Sequence, residues 1–187
     1  EASAAGDNRT TLGLVADLKT PHLSEARRLV KKSDGREVFS LIEKHFDELK
    51  KLLEGLAILG EVPPRGLDKI LAYGELLSSA VLTDALAERG IPSRLLDARE
   101  LINTDDRYGS ASPLFEITNK KLRETIPALA NAGVVPVIQG FIGSSRDGAT
   151  TTLGFEGSDY TATIIGAALD VDDIQIWKDV SGLMTAD

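Results

Sequence analysis

A chain of 187 residues with 42% hydrophobic and 27% charged residues suits one globular domain with a sizeable core, not a disordered segment. A net charge of −8 argues against a nucleic-acid or anionic-membrane partner, either of which favours a basic face. The absence of cysteine excludes a disulfide framework, a zinc–thiolate site and a thiol nucleophile. A chain without cysteine is compatible with the cytosol, and a cytoplasmic protein is expected; no apolar run approaches the roughly 18 residues of a membrane span, and no signal-peptide pattern opens the chain. Acidity still permits an anionic small substrate, whose phosphates backbone N–H groups and a metal ion can hold. The chain opens without methionine and closes without a capping pattern, which leads us to expect a fragment.

In chain order, His22 follows Pro21 and is expected in a loop. Val38, Leu41, Ile42, His45, Phe46, Leu49, Leu52, Leu53 and Leu56 recur at helical spacing to Leu59, with His45 as a core residue, and Pro63-Pro64 ends that helix. A second helix is expected over about 67–88 on Leu67, Ile70, Leu71, Leu77, Val81 and Ala85, closed by Arg89-Gly90. Residues 91–98 read as a short buried strand and 113–132 as a helix that Pro127 kinks or divides. "VVPVIQGFIG" (134–143) is a central-strand signal; the turn at 145–148 and the strand at 150–153 make a hairpin. A helix over 158–169 and a strand over 174–180 ("IQIWKDV") follow. Helices alternating with buried strands indicate an α/β fold with a mainly parallel sheet. The chain reads as a single domain, 1–187, with no internal repeat.

Four constellations carry candidate chemistry. In "TTTLGFEGSDYTA", Gly154 and Gly157 permit close approach to the backbone, Ser158 is a candidate N-cap, and Asp159 falls in the first helical turn; the same pattern also serves simply to start a helix. It is neither a dinucleotide fingerprint nor a phosphate loop of the Walker type. Glu75 lies beside an apolar helix face, with Gly74, Ser78 and Ser79 leaving room; it is either turned into a cleft or a helix-edge glutamate in solvent. "INTDDRYG" (102–109) is a ligand-contacting loop or a salt-bridged turn. "WKDVSGLMTAD" (177–187) leaves a strand at its carboxyl end, with Asp179 and Gly182 as candidates or as a plain turn. Two histidines and no cysteine suggest neither a histidine-based catalyst nor a metal site.

These segments resemble aspartate kinase, of the amino-acid kinase family. The match is carried by "GELLSS" (74–79), "NTDDRYG" (103–109), "QGFIGSSRDGATTTLGFEGSDYTA" (139–162) and "IWKDVSGLMTAD" (176–187), and "SAAG" (3–6) resembles the end of the family's second strand. The resemblance implies a three-layer αβα sandwich with the active site at the carboxyl ends of the strands. It places the chain in the interior of a catalytic domain, lacking the family's Lys-Phe-Gly-Gly-Thr-Ser element, its later lysine segment and its ACT domains, so that the chain alone is expected to be inactive. It further implies transfer of the ATP γ-phosphoryl group, with Mg²⁺, to the side-chain carboxylate of L-aspartate, the first step toward lysine, threonine and methionine. A homo-oligomer is expected for the full-length form. By resemblance Asp159 is the catalytic residue, Glu75 receives the substrate ammonium, and Phe141 and Ser158 complete the amino-acid site. Lys178, Asp179, Gly182, Met184 and Asp187 would lie along the nucleotide. A carboxylate nucleophile needs no strong base, so positioning and charge neutralisation would carry the catalysis.

The chain departs from the family pattern where Phe155 replaces the usual arginine, Glu156 a Gly or Asn, Lys178 a Thr and Met184 a Tyr. Loss of the arginine fork would remove a few kcal/mol of binding to a substrate carboxylate. The departures keep two alternatives open: a non-catalytic, regulatory relative, or a kinase for another small acid.

Overall fold

The computed structural model describes residues 8–31 and 36–178. Its elements are α1 (Asn8–Leu29), α2 (Arg36–Leu59), α3 (Pro64–Glu88), β1 (Ser93–Leu96), α4 (Ala98–Leu101), α5 (Phe115–Asn131), β2 (Val135–Ile138), β3 (Ile142–Ser144), β4 (Thr150–Thr152) and α6 (Gly157–Leu169).

The apolar stripe expected in α2 is the one that is buried: Val38, Ile42, Phe46, Leu49 and Leu56 enter the core, and His45 goes with them. α3 begins three residues earlier than its apolar pattern suggests, because Pro64 at the first helical position loses no N–H bond that a helix would have used. Its far end is a Schellman motif: Ile91 N–H donates to the Leu86 carbonyl at 3.1 Å and Gly90 N–H to Ala87 at 2.9 Å. By length and composition α3 would pass for a membrane span, but it packs on α1, α2, β1, β2 and β4 as the central helix of the fold.

Four sequence expectations change. Pro21 and His22 lie inside α1, not in a loop; burial of Val15, Ala26 and Val30 outweighs the bond that Pro21 cannot donate. α5 runs unbroken through Pro127, which falls only a turn from the helix end. The single strand read over 134–143 is two, β2 and β3, separated at Gln139–Phe141 by a positive φ of 68° at Phe141. Residues 174–178 form no strand. Ile174 lies instead against Gly166 of α6, and Trp177 is 88% exposed; residues 179 and 180 fall outside the described residues.

β1 and β2 pair in parallel, Ser93 with Val135 through Leu96 with Ile138, while β3 and β4 form the expected antiparallel hairpin, Ile142 opposite Thr152. A parallel bridge between Asn103 and Ser144 brings the loop after α4 alongside β3. α3 packs directly on β1, β2 and β4 with α1 and α2 against it, α5 packs on β2 with α6 against it, and one apolar cluster from Val15 to Ala168 joins these elements. The result is the three-layer α/β architecture, with a smaller described sheet than the sequence suggests.

Candidate active site

A cavity of about 670 Å³ opens where β2 and β4 end. α3 contributes Asp68 and Glu75 to it, the β2–β3 break contributes Phe141, and the start of α6 contributes Gly157, Ser158 and Asp159. Open α/β sheets bind ligands at this end of their strands.

The backbone around the cavity is shaped by close packing. Gly154 has φ +82°, and a Cβ there would stand 3.2 Å from the Gly109 carbonyl. A Cβ on Gly157 would come within 2.8 Å of the Phe141 ring. These glycines are required by the protein's own contacts, before any ligand arrives. Phe141 is held from both sides: its N–H donates to the Thr161 hydroxyl at 3.0 Å, and its carbonyl accepts from Leu153 N–H at 2.8 Å.

Ser158 does not cap α6. The cap position is Glu156, in the left-handed conformation at φ 53° and without a side-chain capping bond. Ser158 is an exposed second-position residue whose N–H, like that of Asp159, has no protein partner among the described residues. Two free amides at a helix start form an anion-attracting edge.

Glu75 is half-buried and faces the cavity, so the solvent-facing alternative does not hold. Its carboxylate has neither a hydrogen bond nor an ion pair among the described residues, and burial pushes its pKa up from the ordinary value of 4.5. Its backbone carbonyl accepts from the Ser79 hydroxyl at 2.7 Å, and Gln139, only 2% exposed, donates to that hydroxyl at 2.8 Å. The Gln139 carbonyl oxygen in turn accepts from Ala98 N–H at 2.8 Å, so α3 is tied to the ends of β2 and α4 at the level of Glu75.

Lys178 reaches the cavity and donates to Asp159 at 2.6 Å, with Glu156 at 3.8 Å; the Asp159 hydrogen bond raises the lysine pKa. Phe155, 96% exposed, stands at the mouth without a cationic group of its own. The structure thus gathers Glu75, Phe141, Ser158, Asp159 and Lys178. Asp179, Gly182, Met184 and Asp187 lie outside the described residues.

"INTDDRYG" forms a salt-bridged turn, and its last residue, Gly109, lines the cavity. Asp105 accepts from Ser112 N–H at 2.9 Å and pairs with Arg107 at 2.8 Å, while Asp106 stays in solvent. One cavity residue escaped the sequence reading: Asp68 is fully buried and accepts from Thr152 and Gly109. The signal was its spacing, since Asp68, Ala72, Leu76 and Ser79 follow one helical line, and all four are buried. Leu67 and Leu71, read as core, are each 46% exposed on the neighbouring line.

Helices packed on short strands, with a cavity at the strand ends that carries Glu75, Asp159 and Lys178, define a protein of the α/β class. The chain belongs to the amino acid kinase family, whose family model matches residues 5–187. It is 37% identical over 147 residues to lysine-sensitive aspartokinase 3 of Escherichia coli K12, covering 75% of this chain and 32% of that protein. Over 160 residues it is 39% identical to the chloroplastic aspartokinase 1 of Arabidopsis thaliana, covering 79% of this chain and 26% of that one. The solved structure of E. coli aspartokinase III with aspartate and ADP (R-state) superposes with a TM-score of 0.86 at 31% identity, over 97% of this chain and 39% of the other. The same enzyme with lysine and aspartate (T-state) gives a TM-score of 0.87 at 30% identity. The chain spans about a quarter to a third of the length of these curated relatives.

Proposed function

We propose that this chain forms part of the catalytic domain of an aspartate kinase, which transfers the γ-phosphoryl group of ATP to the side-chain carboxylate of L-aspartate. The observation that carries this reading is the convergence in one cavity of a half-buried Glu75 with the amides of Ser158 and Asp159, none of which has a partner among the described residues. The relatives solved with aspartate and ADP support it.

Glu75 offers an anion to the substrate's ammonium group; burial raises its pKa, and no cation stands beside it among the described residues. Phe141 and Ser158 border the amino acid. The α6 amides and the Lys178 ammonium face the charge of the phosphoryl group, while Asp159, in the first turn of α6, stands where donor and acceptor meet. The balance is simple: an oxygen of the substrate carboxylate bonds to the γ-phosphorus, the bond from that phosphorus to the β-bridging oxygen breaks, and aspartyl 4-phosphate and ADP result. No proton moves, so no histidine or cysteine is needed, and the work left to the protein is alignment and charge balance.

No group of three carboxylates or histidines suited to a metal occurs among the described residues. Mg²⁺ needs only one or two carboxylates plus phosphates and waters, and Asp159 is the carboxylate that would hold it. When bound, Mg²⁺ neutralises phosphate charge. Asp179, Gly182, Met184 and Asp187 are proposed to continue the nucleotide site, and a cytoplasmic, homo-oligomeric full-length enzyme of amino-acid biosynthesis completes the proposal.

The test is hydroxylamine trapping of acyl phosphate by the full-length protein given Mg-ATP and L-aspartate. Hydroxamate formation is expected; its absence overturns the reading. Exposed Phe155 favours one second reading, a kinase for another small acid, because it brings no cation to the mouth. Under the first reading Phe155→Arg lowers the KM for aspartate; a preference for a different acid, lost on that substitution, would establish the second.

A further inference from the structure

Asp68 is a carboxylate sealed from solvent that the proposed chemistry does not use. Its Oδ2 accepts from the backbone N–H groups of Thr152 at 2.9 Å and Gly109 at 3.0 Å, and its Oδ1 accepts from the Thr152 hydroxyl at 2.8 Å. A buried charge is tolerated only when donors fill its lone pairs, and here they come from two separate segments.

Those segments lead to the site. Thr152 is the last residue of β4, and Leu153 to Glu156 run from it to α6 and Asp159. The Gly109 loop backs this exit, packed so tightly on Gly154 that a Cβ there would stand 3.2 Å from the Gly109 carbonyl. On α3, Asp68 and Glu75 are seven residues apart. That is two turns, so they share a face about 10 Å apart along the axis. The Ser79–Gln139 link holds α3 to the β2 end, whereas Asp68 holds it to β4, on the side from which Asp159 departs.

We propose that Asp68 is a positioning residue: its carboxylate sets the distance between Glu75 and the Asp159 loop, and so the fit of the phosphoryl acceptor. The proposal rests on the aspartate kinase reading above. Displacing α3 relative to β4 moves the ammonium-binding end of the acceptor site away from the reacting end, whereas the α6 amides that face the phosphates travel with their own loop.

The test uses the full-length protein, with L-aspartate and ATP varied separately. Asp68→Asn keeps the side-chain shape but removes the charge, Thr152→Val removes one hydrogen bond to Oδ1, and Thr152→Ser restores it. Asp68→Asn and Thr152→Val should raise the acceptor KM on the order of ten-fold with the nucleotide KM changed by less than about two-fold, and Thr152→Ser should behave as wild type. Amide exchange at Gly109 and Thr152 should quicken in Asp68→Asn. Lower melting temperatures with both KM values unmoved, or both KM values rising together, would show a purely structural role and overturn the proposal. If Asp68→Asn does not fold, the Val/Ser pair at 152 decides. A wild type that makes no acyl phosphate overturns the functional reading and this proposal with it; an active wild type with unshifted variants overturns the positioning role alone.

Discussion

At the scale of single residues, Glu75 and Asp159 differ in what faces them. Asp159 already holds the Lys178 ammonium at 2.6 Å, whereas Glu75 has no cation partner among the described residues and bears the cost of partial burial. Because its folded pKa lies above 4.5, the ionised form, which on the proposed reading would meet the substrate ammonium, is lost as pH falls through that raised value. The acid limb of kcat/KM for aspartate should therefore lie above pH 4.5. Glu75→Gln should remove the limb and raise the aspartate KM by about two orders of magnitude, as loss of a charge-assisted contact does. The same sign gives a stability effect. Ionised Glu75 disfavours the fold, so Glu75→Gln should be more stable than wild type at neutral pH and indistinguishable from it below 4.5, by urea titration at both pH values. Asp159→Asn should cut kcat by about a hundred-fold or more while leaving the fold intact by circular dichroism.

Single elements show why parts of the site were readable in the sequence and parts were not. α2 could be read because its stripe repeats for about five turns and Pro63-Pro64 follows its end; α6 could be read because glycines and an acidic first turn precede a run of small residues. The only local mark of the break at Phe141 is the preceding Gly140, where a Cβ would stand 2.8 Å from the Ser158 backbone. A phenylalanine with φ 68° is held there by the Thr161 hydroxyl and by Leu153, residues distant in sequence, and its apolar neighbours read as one continuous strand. The start of α6 depends on that break. Gly157→Ala would drive a methyl to within 2.8 Å of the Phe141 ring and should destabilise the protein by about 1–3 kcal/mol in urea titrations. In α2, burial beside Tyr73 holds the His45 pKa below its usual 6.5, the pull of Glu48 at 3.6 Å notwithstanding, and nearby Arg99 and Lys44 act in the same direction as burial. The unfolded chain then binds that proton more readily. Stability should fall as pH drops through 6.5, and His45→Leu should flatten this slope.

On the scale of the whole molecule, one apolar cluster links α1 and α2 to α5 and α6, so the 187-residue chain should unfold in a single transition by far-ultraviolet circular dichroism. Its one tryptophan, Trp177, is 88% exposed on the segment that forms no strand, and its emission should shift little in that transition. A large blue-shifted signal in the native state would show that residues 174–178 join the sheet after all. The sequence alone determined the α/β class, most helix positions, the hairpin and the helix start that follows the Gly154–Gly157 loop, because periodicity, breakers and turn chemistry act between neighbours along the chain. Tertiary structure decided the rest. It rotated α3 so that Asp68 is sealed and Glu75 faces the cavity, split a strand at Phe141, carried a helix through Pro21, and laid Ile174 on α6. Each of these outcomes depends on what a distant segment donates or covers, and no local pattern records that.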